Sequence, residues 1–212
     1  MDLDWDQFAN SFLLLLVLLN PFIMSIYLLD LVKRVELRLF TRLIVRAFLI
    51  SLLVFLLFAW FGERIFDNLF QVRFLAFMIF GGMTFLIIGT RLILGMGPPV
   101  DVMSTQSREV AGAIAMPFIV GPGTISASVI AGSRVGAPAA SLAITLAIVV
   151  AAISMILLKF LHDWVQTRHE RYVERYVEIA GRITALFTGS FAVDMILKGV
   201  ERWLFLLQQG GL

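Results

Sequence analysis

Long runs of apolar residues, each cut short by a cluster of charges, set the rhythm of this chain. A helix needs about 20 apolar residues to cross ~30 Å of hydrocarbon. Six runs meet that length: roughly 8–29, 42–61, 72–94, 111–131, 137–160 and 178–207. The last carries Lys198, Glu201 and Arg202 late in its course. It is predicted to end near Leu197 and to continue as an interfacial helix anchored by Trp203. Between the fifth and sixth runs, HDWVQTRHERYVERYVE reads as an amphipathic helix or linker, with His162 and His169 in solvent.

The polar positions between the runs give an orientation. The stretches 30–46, 91–110 and 159–182 hold twelve Lys or Arg, including Lys33, Arg34, Arg108, Lys159 and Arg182. The opposite side holds five, Arg64, Arg73, Arg134, Lys198 and Arg202. Cytoplasmic loops carry the excess of positive charge, so both termini are expected outside the cytoplasm. Arg46 and Arg182 lie about a turn inside their runs and are expected to reach back to the interface.

Two pairs of segments repeat. LNPFIMS (Leu19–Ser25) shifted by 101 residues falls on VGPGTIS (Val120–Ser126), and IFGGMTFLIIG (79–89) shifted by 100 falls on IAGRITALFTG (179–189). The chain is therefore read as two three-helix halves, repeat A at about 8–97 and repeat B at about 108–207, within one membrane domain spanning 1–212. Three helices is an odd number, so the second half enters the membrane from the opposite side. The expected fold is all-α and polytopic: six transmembrane helices as two inverted repeats, with helices 1 and 4 broken.

The breaks are Asn20-Pro21 and Gly121-Pro122-Gly123. Proline removes a backbone donor and clashes with the preceding turn, but it suits the first position of a new helix. Asn is a strong N-cap and Gly an acceptable one. Each site is thus predicted to end one half-helix and begin another near mid-membrane. Irregular backbone persists there only when covered by protein or by a water-filled cavity. A half-helix start offers free amides and partial positive charge, and the preceding half-helix offers carbonyls. The combination suits a zwitterion. Gly123 would let a ligand approach the backbone, and Ser25, Thr124 and Ser126 would add hydroxyls. The competing reading is a packing kink, since Pro and Gly are common in transmembrane helices. The repeated pairs Gly81/Gly89 and Gly181/Gly189 are read as close-packing positions.

Asp194 is the deepest ionisable residue, and such groups are functional candidates by default. Two roles stand open: an i,i+4 ion pair with Lys198, or ion coupling. The composition is 60% hydrophobic and 15% charged with no cysteine, against roughly 25% charged in soluble domains. That excludes thiol chemistry, disulfides and zinc-thiolate sites. The net charge of +2 gives no reason to expect nucleic acid. No catalytic constellation or metal-ligand spacing is visible, so no catalytic residue, metal or cofactor is expected. The partners expected are a small-molecule solute and the lipid bilayer, with a homo-oligomer left open.

The stretch AIAMPFIVGPGTIS (Ala113–Ser126) resembles a hallmark segment of the MarC family of bacterial and archaeal inner-membrane proteins. Asn20-Pro21, Gly81-Gly82 and the closing MILKGV resemble further parts of its pattern. The family usually has Gly and Pro where this chain has Ile23 and Ile26, and an uncharged amide in place of the Asp194 and Lys198 charges, which marks a divergent member. The resemblance implies a six-helix protein of the LysE-like transporter superfamily, in which some members are considered carriers of small neutral amino acids. The function expected is a secondary transporter or exporter of such solutes across the cytoplasmic (inner) membrane. The site residues expected are Asn20, Pro21, Ser25, Gly121, Pro122, Gly123, Thr124 and Ser126, with Asp194 as the ion-coupling candidate. The alternative is a non-transporting scaffold or stress-associated membrane protein.

Overall fold

In a computed structural model, residues 4–21, 24–25, 28, 31–32, 35–62, 64–66, 71–94, 119–166 and 170–208 are described. The side chains of 92, 165–166, 170–182 and 184 are not. The repeat junction at 95–118, Ile23 and Ile26, and the side chain of Arg182 therefore lie outside the described residues. The described chain is helical: α1 (Trp5–Leu19), α2 (Leu37–Phe61), α3 (Phe74–Ile93), α4 (Pro122–Val135), α5 (Ala137–Gln166) and α6 (Glu170–Gln208).

By length and composition, Leu37–Phe61, Phe74–Arg91 and Ala137–Trp164 can each cross a membrane. α1 and α4 are short, at 15 and 14 residues, because each is one half of a broken helix. Two expectations need correction. α6 is unbroken for 39 residues, so the charges from Lys198 onward do not end it. The stretch read as an amphipathic helix or linker is largely helical, since α5 runs on to Gln166 and α6 begins at Glu170. Its His162 is half-buried rather than solvated.

α2 and α5 are apolar on every side, so polarity cannot say which face packs inward. Burial can. α2 buries Phe40, Leu43, Ile44, Ala47, Phe48, Ser51, Phe55 and Ala59. α5 buries positions 140, 143, 144, 147, 148, 151, 155 and 159, each 100 residues on. The helix starts agree, for Phe40 N–H donates to Glu36 O and Ala140 N–H to Gly136 O, both at 2.9 Å. The outward faces, with Leu49, Leu53 and Leu57 on α2 and Val149, Ile153 and Leu157 on α5, are exposed and apolar, as a lipid-facing surface must be.

α3 and α6 pack on one another along their length. A Cβ on Gly199 would touch Leu75 and Ile79, one on Gly82 would touch Ala192 and Ile196, and one on Gly89 would touch Ala185 and Gly189. Numbers rise along α3 as they fall along α6, so the two helices run antiparallel. They are also the third helices of the two repeats. Equivalent helices in opposite directions are what an inverted repeat requires. Gly89 meets Gly189, its own counterpart at the 100-residue offset, so a two-fold relating the halves would pass through that contact.

One further contact tests the symmetry. A Cβ on Gly132 would lie 2.0 Å from Ala59 O, so α4 and α2 meet there backbone to backbone. Moving both numbers by 100 into the other repeat gives Val32 and Lys159. Those two also touch, through a 2.6 Å hydrogen bond from Lys159 Nζ to Val32 O.

Candidate functional site

Both breaks form as the residues around them dictate. α1 ends at Leu19, and Asn20 caps it by donating its N–H to Leu16 O at 3.1 Å. Asn20 takes φ +24° and ψ 88°, a conformation most L-residues avoid and Asn tolerates best after Gly. Pro21 then opens the second half-helix, whose first bond runs from Met24 N–H to Asn20 O at 3.2 Å. At the other break Gly121 is the N-cap, Pro122 the first helical residue, and the first bond runs from Ile125 N–H to Gly121 O at 3.0 Å. The two first bonds are 101 residues apart, as the repeat demands.

Thr124 closes the second break. Its hydroxyl accepts from Gly121 N–H at 3.0 Å and lies 2.9 Å from both Ile119 O and Gly121 O, to either of which it can donate. This is one arm of a capping box; the reciprocal arm is absent because Gly121 has no side chain. Phe85 on α3 covers the same break. A Cβ on Gly121 would come within 2.7 Å of its ring, and one on Gly123 within 3.4 Å.

A cavity of about 460 Å³ opens between α1, α3, α4 and α6, and both breaks reach it. Asn20, Gly123, Thr124, Ser126 and Asp194 line it, five of the residues singled out in the sequence. Pro21, Ser25, Gly121 and Pro122 do not. Pro122 instead packs on α3, where a Cβ on Gly81 would fall 1.9 Å from the proline Cβ. Thr188 and Lys198 add two more polar groups, and the remaining wall is apolar, with Leu18, Phe85, Phe187, Phe191 and Met195 prominent. A few polar groups on an apolar wall are the usual composition of a small-molecule site.

The polar groups differ in what they have left to offer. Thr124 spends its hydroxyl on the backbone. Ser128 does likewise, donating to Thr124 O at 2.8 Å. Ser126 Oγ is buried and has no hydrogen-bond partner among the described residues. A buried hydroxyl without a partner is costly, and Ser126 is one of the residues that line the cavity. At the far wall Lys198 Nζ lies 2.7 Å from Asp194 Oδ2, so the i,i+4 pair exists. Among the described residues no group of His, Asp and Glu is arranged to hold a metal.

A family model for MarC family integral membrane proteins matches residues 5–204, nearly the whole chain. The chain belongs to the MarC family. No curated protein and no solved structure matches it.

Three groups in this MarC family chain escaped sequence reading. Phe85 was one aromatic among many. Lys198 counted only as a late charge and as the partner of Asp194. Lys159 was assigned to a cytoplasmic loop, yet it is buried at 3% exposure inside α5, with its amine shared between Val32 O and Asp163 Oδ1 at 2.5 Å. The 100-residue offset would have flagged it, because it sets a lysine against Ala59.

Proposed function

We propose that this chain is a secondary carrier, not an enzyme, for a small zwitterionic solute of the neutral amino acid class. One observation carries the reading: two repeat-related helix breaks open into one cavity, whose lining includes Ser126, a buried hydroxyl without a hydrogen-bond partner among the described residues. Its volume, about 460 Å³, suits a ligand of a few heavy atoms with some water. The antiparallel repeats supply two equivalent bodies that can exchange roles about the central site, the arrangement associated with alternating access. The membrane proposed is the cytoplasmic one, with the loop bearing Arg64 on its outer face, as the twelve-to-five distribution of Lys and Arg supports.

The test is counterflow of alanine and glycine in proteoliposomes. Wild type should exchange them, and Asn20→Ala and Gly121→Ala should not. Ser126→Ala should weaken alanine affinity about 2- to 13-fold, the equivalent of one net hydrogen bond of about 0.5–1.5 kcal/mol, with no loss of thermal stability. No exchange of any small amino acid by folded wild type would refute the carrier reading. Because the chain has no native cysteine, a single cysteine placed at Gly62 checks the orientation. An impermeant maleimide should label it in intact cells, and a cysteine at Asp163 should stay unlabelled.

A further inference from the structure

A second cavity, about 650 Å³, sits against the first. It is walled by the end of α2 and the turn after it, the start of α3, the later part of α4, and the late part of α6. The two cavities share Met78, Ile130 and Lys198 as wall residues. Its charged lining residues are Arg64, Lys198 and Arg202, and no acidic side chain is among those described. Among the described residues, the charged wall residues of the inner cavity are Asp194 and Lys198. Lys198 therefore stands at the seam, with a cationic vestibule on one side and the break-lined cavity on the other.

The Asp194–Lys198 pair is deep. α6 meets α3 in antiparallel fashion, and Gly82, mid-way along α3, packs between Ala192 and Ile196. Asp194 is at that level. Yet its side chain is 52% exposed and that of Lys198 is 60% exposed. Charged groups at such depth face protein or a water-filled space, and here they face the two cavities. An ion pair that keeps its water contributes little to stability and opens at small cost.

We infer that Asp194 and Lys198 are a charge-exchange site, opened by a ligand that carries both charges. The reading rests on the carrier proposal for its direction of travel. The ligand carboxylate docks on Lys198 after collection in the vestibule, and its ammonium replaces the lysine at Asp194. A zwitterion satisfies both groups at once. A ligand with one charge breaks the pair and leaves one member unpartnered, which selects against it.

Alanine, propionate and ethylamine separate these charges at nearly constant size. Binding of each is measured to the full chain in nanodiscs. Wild type should bind alanine at least about tenfold tighter than either single-charge probe. Lys198→Met should weaken alanine about tenfold and strengthen ethylamine, because Asp194 is released. Asp194→Asn should do the reverse, weakening alanine and strengthening propionate. Lys198→Arg keeps the charge and should retain alanine, which guards against a folding artefact. Alanine bound no tighter than the single-charge probes, or the same binding in all variants, would overturn the inference, as would no binding at all. Counterflow separates the two proposals. The binding pattern without exchange removes the carrier and keeps the site. Exchange by wild type, with alanine binding unchanged in both variants, removes the site and keeps the carrier.

Discussion

Gly81→Ala adds one methyl where α3 crosses the start of α4. The new Cβ would lie 1.9 Å from Pro122 Cβ and 2.3 Å from Pro122 Cγ. Ordinary carbon contacts begin near 3.5 Å, so the two helices must separate by more than an ångström. Relief by a rotamer change is closed, because Pro122 is a ring fixed at the first position of α4. In a helix the exchange of Gly for Ala by itself is worth about 1 kcal/mol in favour of Ala. Overpacking of a tight core costs about 1–3 kcal/mol, and a contact this short belongs at the upper end. The net loss is about 1–2 kcal/mol. At roughly 2–4 °C per kcal/mol for a chain of this size, the midpoint should fall by about 2–8 °C. Gly189→Ala is the control: its Cβ would meet nothing within 4 Å, so only the helix-propensity gain remains and the midpoint should hold or rise by up to about 4 °C. Tryptophan-detected unfolding of both variants in one detergent is the assay. A Gly81→Ala midpoint equal to wild type, or a Gly189→Ala midpoint that drops further than it, would refute the packing argument.

Two other perturbations address the breaks. Thr124→Val should leave Gly121 N–H buried without its acceptor and cost about 1–3 kcal/mol, whereas Thr124→Ser should be nearly neutral; thermal unfolding of the pair decides it. Asn20→Leu places a bulky residue at φ +24° and should cost about 1–2 kcal/mol, while Asn20→Gly, which tolerates that φ, should be the more stable of the two. Equal midpoints for the two Asn20 variants would show that the backbone there relaxes freely.

The breaks were legible because proline and its neighbours act locally. Pro21 and Pro122 can only begin a helix there, and Asn20 and Gly121 suit the capping position just before it. The match of α2 to α5 was hidden for the opposite reason. In a bilayer the inward and outward faces are both apolar, so a Phe40 opposite an Ala140 keeps the register while erasing the likeness. Only burial reveals it. The cavity was legible in part: the sequence named Asn20, Gly123, Thr124, Ser126 and Asp194, but nothing in it could bring Phe85 over the break or set Lys198 between two cavities. Those placements depend on how α3 and α6 cross, and that depends on glycines whose partners lie about 100 residues away. Pro122 shows the limit of motif reading. Its ring belongs to the motif, yet it packs on Gly81, and its part in the site is to hold the break in position.

The meeting of Gly89 with Gly189 has a mechanical consequence. Points on a two-fold axis stay where they are when the halves trade shapes. If this molecule rocks between two forms, that crossing is its fulcrum, and displacement must grow with distance from it. Spin labels flanking the two glycines should keep a fixed separation, while labels at Gly62 and Asp163 report the swing.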